Sequence, residues 1–342
     1  MKPHIWLIKL VFVSLIVLGI PVGGVMAYNY YIDPLWNFDH SNEYNDYQIG
    51  FNERIQKTNW INAHDMNFDS LMIGTSRTTY INASNFEEKV FHYGLSSLHI
   101  TEYLDYMQYA QSKNKKPFGT IYMELTVRSH DLFYGPAFSD AESFFSQSER
   151  PFYPITSLFS KETHDQAKDN YEISKANYSE GPRTYNRDLE VSTSYPGKDI
   201  NERIEFFKNQ MADRTANGPE WVYDPNYRGY LEEIKAAFPD ANFIVFTDLM
   251  PAERLQMTLE HPQIQPIYKQ YISDIVDIFG AAYSFHAYND VTRSHANFFD
   301  LYHFYPPIGD LVAEELQRRE PSDLLYIVTK ENMEDYFKQL GI

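Results

Sequence analysis

The 342-residue sequence contains no cysteine, which excludes disulfide bonds, thiolate metal sites and a cysteine nucleophile. Basic residues are few: 29 Lys and Arg stand against 47 Asp and Glu, a formal net charge of −18. A nucleic-acid-binding protein normally carries a basic face, so this composition argues against nucleic acid as a partner. No His-x-x-x-His pair or dense group of His and carboxylate residues occurs, and the sequence therefore predicts no metal and no other cofactor.

Apolar and aromatic residues, by contrast, are plentiful. Apolar residues make up 43% of the chain, which includes 28 Tyr and 24 Phe. This content and the chain length are sufficient for one large α/β domain with a sizeable core.

The N-terminal segment contains one long uncharged stretch. Residues 10–27 carry no charge and approach the ~20 residues that a helix needs to cross a bilayer. Lys2 and Lys9 precede this stretch, which predicts that residues 1–9 stay in the cytoplasm while the rest is exported. A cleaved signal peptide is the alternative, because Val25-Met26-Ala27 is a suitable cleavage site. An uncleaved helix would make the chain a single-pass protein of the cell membrane with an extracytoplasmic domain.

Residues 28–60 are predicted to be a juxtamembrane linker. The linker begins with the aromatic sequence YNYYIDPLWNF, and aromatic residues of this kind are typical of the membrane–water interface. The polar residues 42–60, which include the sequence FNERIQKTNW, are expected to be solvated, with Glu53, Arg54 and Lys57 forming ion pairs on a helix surface.

Residues 61–342 alternate short apolar runs with helical patterns. Strands are predicted from the apolar runs at residues 69–74, 90–94, 119–125, 242–247 and 282–285. Helices are predicted from a 3.6-residue periodicity at residues 101–113, 201–211, 229–237, 265–279 and 308–316. The alternation predicts one α/β domain around a doubly wound parallel sheet. Residues 133–200 lack this regularity except for a helix at 161–176, and are predicted to form a lid-like insertion or a long surface loop.

A serine follows the first predicted strand. Ser76 lies in the sequence GTSRT, at the carboxyl end of a strand, where the active sites of open α/β sheets gather. At a turn from strand to helix its hydroxyl is accessible, and its own N–H can face a developing oxyanion. A serine in such a turn is also a common helix cap, so the position alone does not establish catalysis.

A second group of reactive residues precedes the last predicted helix. A serine nucleophile needs a neutral histidine to accept its proton, and a carboxylate to orient the imidazole. Of the 11 histidines, only His303 has an aspartate three positions earlier, Asp300. This spacing lets both side chains lie on the same side of a loop that enters a helix.

Taken together, these two groups resemble the SGNH (GDSL-like) hydrolase superfamily, in which a serine follows the first strand and Asp-x-x-His precedes the last helix. The resemblance implies a three-layer, flavodoxin-like α/β fold and a catalytic domain spanning residues 61–342. It implies that Ser76 is the nucleophile, His303 the general base and acid, and Asp300 the orienting carboxylate. It also implies that the backbone N–H of Gly94 joins that of Ser76 as an oxyanion donor. Arg77 is expected either to hold a polar or anionic part of the substrate or to pair with a neighbouring carboxylate.

One superfamily motif is missing, because no Asn follows the middle strand near residues 124–128 to supply a third oxyanion donor. This departure and the single anchor are similar to a branch of membrane-anchored SGNH-like proteins of bacterial cell envelopes. Those proteins work beside a multispanning membrane-bound O-acyltransferase, in wall-polysaccharide O-acetylation and in the D-alanylation of teichoic acids. The resemblance therefore implies a serine O-acyltransferase that receives an acyl group, in the first place acetyl, from such a partner and passes it to a cell-wall polysaccharide.

Two other functions stay open on the sequence. A carbohydrate esterase or deacetylase acting on the same polymers would use the same three residues. A non-catalytic polysaccharide-binding scaffold would keep the fold without the chemistry.

Overall fold

The structure is a computed structural model that describes residues 3–138, 140–176, 181, 183–193, 195–197, 199–217 and 221–342. The predicted cytoplasmic segment 1–9 and the predicted insertion 133–200 therefore lie partly outside the described residues. Helical and strand segments both contribute, so the protein is a mixed α/β protein.

Strands and helices alternate along much of the described chain. The strands are β1 (Gln48–Ile49), β2 (Ser70–Gly74), β3 (Val90–Gly94), β4 (Thr120–Leu125), β5 (Thr184–Tyr185), β6 (Val191–Ser192), β7 (Asn242–Thr247), β8 (Ala282–Ser284) and β9 (Tyr326–Val328). The helices are α1 (Pro3–Ile32), α2 (Glu53–Ala63), α3 (Ile100–Lys113), α4 (Ala141–Ser148), α5 (Tyr153–Ser157), α6 (Lys161–Ala176), α7 (Ile200–Asn217), α8 (Tyr227–Ala237), α9 (Ala252–Leu259), α10 (Ile264–Phe279), α11 (Asp290–Arg293), α12 (Pro306–Arg318) and α13 (Met333–Leu340).

Most of the predicted elements are confirmed. The five predicted strands correspond to β2, β3, β4, β7 and β8, and the predicted helices correspond to α3, α6, α7, α8, α10 and α12. The sequence patterns did not predict α9, β9 or α13, which are short elements of eight residues or fewer.

The chain divides into two compact units, whereas the sequence indicated one domain preceded by a linker. The first unit contains Met1–Asp65, Ser143–Ser179 and Thr184–Asp188, and the second contains Met66–Glu142, Glu180–Arg183 and Leu189–Ile342. The difference arises because α6, which belongs to the predicted insertion, packs against α1 in the first unit.

The first unit begins with an apolar helix. Helix α1 has an apolar stretch from His4 to Ile32 that is long and apolar enough to cross a membrane. The predicted anchor, residues 10–27, lies within this helix. After α1 the chain folds compactly: the buried Asp33 carboxylate pairs with Arg187 at 2.6 Å, and Trp36 packs 5.3 Å from the Tyr185 ring. Trp36 is therefore a core residue of this unit and not part of an exposed aromatic surface.

Helix α2 is polar in sequence and buried in the structure. Asn52 caps it by accepting hydrogen bonds from the N–H groups of Arg54 and Ile55. Residues Glu53–Ile61 are all buried. The prediction that residues 52–59 are solvated, with Glu53, Arg54 and Lys57 on an exposed helix surface, is wrong.

Hydrogen bonds within the first unit explain how polar side chains of α2 tolerate burial. The Tyr185 hydroxyl donates to Glu53 at 2.5 Å, and the Lys57 ammonium lies 5.3 Å from the centre of the same ring. The Gln56 amide donates to the carbonyls of Pro34 and Ile49 at 2.8 and 3.0 Å. Periodicity cannot reveal such a helix, since its partners are backbone groups of separate segments.

The second unit contains a mostly parallel sheet with the strand order β3-β2-β4-β7-β8-β9. Strands β3, β2, β4, β7 and β8 are parallel, and β9 pairs antiparallel with β8. The strands are buried, apolar runs, as expected for parallel strands. Because parallel strands end at the same edge, the residues that follow β2, β4, β7 and β8 are brought together there.

Candidate active site

The segment after β2 holds Ser76 at this carboxyl edge. Residues 70–75 and 77–81 are buried, whereas Ser76 is half-buried. The chain turns after β2 into a short 3₁₀ helix, Thr78–Tyr80. A close turn of this kind presents the Ser76 hydroxyl at the end of the sheet.

The structure brings the predicted Ser, His and Asp together. The Ser76 Oγ lies 2.8 Å from His303 Nε2, and His303 Nδ1 lies 2.9 Å from Asp300 Oδ2. Asp300 Oδ1 also accepts the backbone N–H groups of Tyr302 and His303, at 2.6 and 2.7 Å. The Asp-x-x-His spacing therefore forms a local turn that fixes the carboxylate against the imidazole.

The pKa shifts of His303 and Asp300 favour the protonation states that proton transfer from Ser76 to His303 requires. Burial lowers the pKa of His303, and the Asp300 carboxylate opposes that shift without cancelling it. Although burial acts in the other direction, the hydrogen bonds from His303 and from backbone N–H groups lower the pKa of Asp300. At neutral pH His303 is thus neutral and Asp300 ionised, so Nδ1–H donates to Asp300 and Nε2 can accept the Ser76 proton.

Glu124, at the end of β4, is a site residue that sequence reasoning did not identify. Its Oε2 accepts hydrogen bonds from the Thr75 N–H at 2.6 Å, the Thr75 hydroxyl at 2.7 Å and the Thr78 hydroxyl at 2.8 Å. Burial raises the pKa of Glu124, although the nearby Arg77 acts against that shift. The carboxylate therefore holds both sides of the turn that carries Ser76. An acidic residue inside an otherwise apolar strand was the available signal.

Arg77 lies beside a carboxylate, as one of its two predicted roles, pairing with a neighbouring acidic residue, required. Its Nε lies 3.4 Å from Oδ2 of Asp248, the residue that directly follows β7. The same Nε donates to the Tyr302 carbonyl at 2.9 Å. Although burial acts the other way, Arg77 and His286 hold the pKa of Asp248 well below its usual range. Arg77 is thus buried beside an ionised carboxylate; a direct contact between Arg77 and substrate stays a prediction.

A second arginine borders the site from the region predicted to be an insertion. Arg183 donates to the hydroxyls of Thr79 and Ser96, at 3.0 and 2.9 Å, and lies over the Tyr80 ring. Together with Arg77 it contributes to lowering the pKa of His303. No local pattern in the sequence marks Arg183, because it reaches the site only through the fold.

Gly94 ends β3 beside Gly74 of β2. Its N–H donates to the ring nitrogen Nδ1 of His92 at 3.3 Å. A side chain at Gly94 would crowd the His92 ring and the backbone of Thr79, so the glycine permits close approach of these segments. Its role as an oxyanion donor stays a prediction.

In the part of the chain that the structure describes, no group of three or more His, Asp or Glu residues is arranged to hold a metal ion. The arrangement can instead support nucleophilic chemistry at Ser76, with proton transfer through His303.

Comparison with known proteins does not extend this assignment. No protein-family model matches the chain, and no curated protein sequence matches it.

Proposed function

We propose that this protein is a serine O-acyltransferase of the SGNH type that acts through an acyl-Ser76 intermediate. The observation that carries the proposal is the continuous hydrogen-bonded series from Ser76 through His303 to Asp300. Its position at the carboxyl edge of a mostly parallel sheet supports the assignment, because that edge is where such folds carry their active sites.

In the proposed first step, Ser76 Oγ attacks the carbonyl carbon of an acyl donor while its proton moves to His303 Nε2. The Asp300 carboxylate stabilises the imidazolium that forms. The proton then passes to the departing group of the donor, which leaves acyl-Ser76. In the second step an acceptor hydroxyl gives its proton to Nε2 and attacks the acyl carbon, and the returning proton regenerates Ser76.

The proposed acceptor is a cell-envelope polysaccharide, the proposed acyl group is acetyl, and the proposed donor is a multispanning membrane-bound O-acyltransferase. The apolar helix α1 supports placing the protein at the membrane as a single-pass protein. The proposed extracytoplasmic side for the Ser76 site follows from Lys2 and Lys9, which precede the uncharged stretch. Tethering raises the local concentration of an enzyme beside a membrane-bound donor.

The test uses the full chain in lipid nanodiscs and intact-mass spectrometry. The protein is incubated with an activated acetyl ester, with and without a soluble cell-wall polysaccharide, beside Ser76→Ala and the exposed-serine control Ser84→Ala. We expect one acetyl adduct in the wild type and in Ser84→Ala, none in Ser76→Ala, and faster loss of the adduct when the polysaccharide is present. Acetylated sugar must appear as the adduct is lost.

Two outcomes would contradict the proposal in different ways. Loss of the adduct to water at a rate independent of the polysaccharide would identify an esterase. A serine-reactive fluorophosphonate provides a test that needs no acyl donor, and its failure to label Ser76 in folded protein would indicate a non-catalytic scaffold.

A further inference from the structure

A cavity of about 350 Å³ lies within the second unit, at the side of the sheet edge where β4 and β7 end. Residues that follow these two strands form one part of it, and α7, α9, α10 and Trp221 supply the rest. Its size is at the lower end of the range for small-molecule sites, ~300–1,000 Å³. The hydrogen-bonded series of Ser76, His303 and Asp300 does not include any of its lining residues.

Several polar groups of the lining have no hydrogen-bond partner. Within the described residues these are four N–H donors, Nε of Arg128, Arg214 and Arg254 and Nε1 of Trp221, and the two ring nitrogens of His130, of which one is a donor and one an acceptor in the neutral imidazole. Native proteins leave few buried donors unsatisfied, because each such group loses its hydrogen bonds to water. This concentration of donors in one cavity indicates a ligand that supplies acceptor oxygens.

The arginines of the cavity are incompletely neutralised. Arg214 is paired with Asp131, but Arg128 has no ion pair among the residues that the structure describes, and its guanidinium lies 4.7 Å from the centre of the Tyr134 ring. Arg254 is buried, and burial together with the charge of Arg77 lowers its pKa to about 10. The lining contains these three arginines and one carboxylate, Asp213, which is a local excess of positive charge in a chain of net charge −18. An anionic group would be favoured there.

The remaining walls are apolar. Phe207 and Met211 of α7 face the cavity together with Met250, Ile264 and Ile267. A bare inorganic anion would leave these walls uncovered, whereas a ligand with an apolar body would bury them.

We propose that this cavity is a binding site for an organic anion, a carboxylate or a phosphate monoester attached to an apolar body. The acidic oxygens accept the unpartnered N–H groups of Arg128, Arg254 and Trp221, and the body packs on the aliphatic and aromatic walls. This inference goes beyond the proposed acyl transfer and does not depend on it.

The site adjoins the loop that carries the acid–base pair. Arg254 donates to the Leu301 carbonyl at 3.0 Å, and its guanidinium lies 4.0 Å from the centre of the Tyr302 ring. Leu301 and Tyr302 separate Asp300 from His303 in the sequence. An anion bound to Arg254 is therefore separated by this one side chain from the loop that carries Asp300 and His303.

The test is calorimetric titration of the full chain in nanodiscs of zwitterionic lipid, with Ser76→Ala as the background so that no turnover contributes. The probes are 4-phenylbutyrate and phenyl phosphate, with 4-phenylbutanol and inorganic phosphate as the matched compounds that lack the charge or the apolar body. We expect at least one of the two organic anions to bind at least ~10-fold more tightly than its matched compound. Binding of both, or of one alone, identifies which acidic group the site accepts.

Two variants locate the binding. Arg128→Gln is expected to weaken anion binding ~10-fold and to leave 4-phenylbutanol unaffected, because it removes one charged donor. Trp221→Phe removes a single N–H and is expected to weaken binding less. Arg203→Gln, on α7 but outside the cavity, is the control and is expected to change nothing.

The proposal is overturned if neither organic anion binds at millimolar concentration. It is equally overturned if 4-phenylbutyrate binds no more tightly than 4-phenylbutanol and phenyl phosphate no more tightly than inorganic phosphate. It is also overturned if Arg128→Gln and Trp221→Phe fold normally and bind as the parent does. Since the titration uses a chain without its nucleophile, a failure here is independent of any failure to detect acyl-Ser76.

Discussion

The Arg77 side chain donates a hydrogen bond to the backbone carbonyl of Tyr302 at 2.9 Å, across a sequence separation of 225 residues. This bond joins the turn that carries Ser76 to the loop that carries Asp300 and His303. The proposed nucleophile and its proposed base are therefore positioned by a buried cation that also contacts Asp248. Substitutions at these residues and at the contacts around them test the arrangement.

Replacing Arg77 by Met is expected to destabilise the protein by roughly 3–5 kcal/mol, because the buried, ionised Asp248 loses its ion pair with Arg77. The double variant Arg77→Met/Asp248→Asn should recover at least ~1 kcal/mol of that loss. The measurement is the free energy of unfolding from denaturant titration at neutral pH. Lys116→Met removes an exposed ion pair with Asp69 and is the control, with a much smaller expected loss because solvent screens this pair. Equal losses for the two single variants would contradict the role of the buried pair.

Glu124 is expected to act as a positioning residue. Glu124→Ala removes the acceptor for Thr75 and Thr78, and should slow Ser76 acylation by roughly 10- to 100-fold through the maximal rate, with KM nearly unchanged. Glu124→Gln keeps an acceptor oxygen and should restore most of the rate. Stopped-flow kinetics with an activated ester distinguish the two. If Gln and Ala are equally slow, the negative charge rather than the hydrogen bonds is what matters.

The pH dependence of acylation should report the lowered pKa of His303. Only the neutral imidazole of His303 accepts the Ser76 proton. As the pH is lowered, the acylation rate therefore stays constant until the pH reaches the pKa of His303 in the folded protein, which lies below the ordinary value of 6.5. The acid limb of the rate profile should therefore have its midpoint below pH 6.5. Arg183 contributes to lowering this pKa, so Arg183→Gln should move the midpoint upward. A wild-type midpoint above 6.5 would show that Asp300 outweighs burial.

Asp300→Asn is expected to slow acylation by roughly 10²- to 10⁴-fold, since the amide no longer fixes the imidazole tautomer that presents Nε2 to Ser76. The variant should still fold, because an Asn side-chain oxygen can accept the N–H groups of Tyr302 and His303. Acylation rate and melting temperature are measured together. A large fall in melting temperature with the same fractional loss of rate would indicate a purely structural role.

The buried polar helix α2 gives a prediction about stability. Gln56→Leu removes the donor to the carbonyls of Pro34 and Ile49 in a site without solvent, and should cost roughly 2–3 kcal/mol. Gln256→Leu is the control, because Gln256 is exposed and its side-chain amide donates to Glu260 on the next turn. Thermal unfolding of the two variants makes the comparison. Similar melting temperatures would mean that the α2 hydrogen bonds contribute little.

The sequence was sufficient to predict the principal strands and helices of the second unit. Buried parallel strands are continuous apolar runs and amphipathic helices have a 3.6-residue period, so both patterns are local and survive without knowledge of the fold. The Asp300–His303 pair was also predictable, because its geometry comes from a turn of four residues. The position of Ser76 was also predictable, because a serine directly after an apolar run is a local sequence pattern.

Tertiary structure alone decided which distant groups support these residues. Glu124, Asp248 and Arg183 reach the site from separate elements. Apart from the position of Glu124 inside an apolar strand, their sequence surroundings carry no pattern that distinguishes them from ordinary charged residues. The burial of α2 was likewise undetectable, because its polar side chains are satisfied by backbone carbonyls and by Tyr185 from other segments. Local patterns record the periodicity of a segment, whereas hydrogen-bond satisfaction and pKa shifts depend on neighbours that only the folded chain brings within a few ångströms.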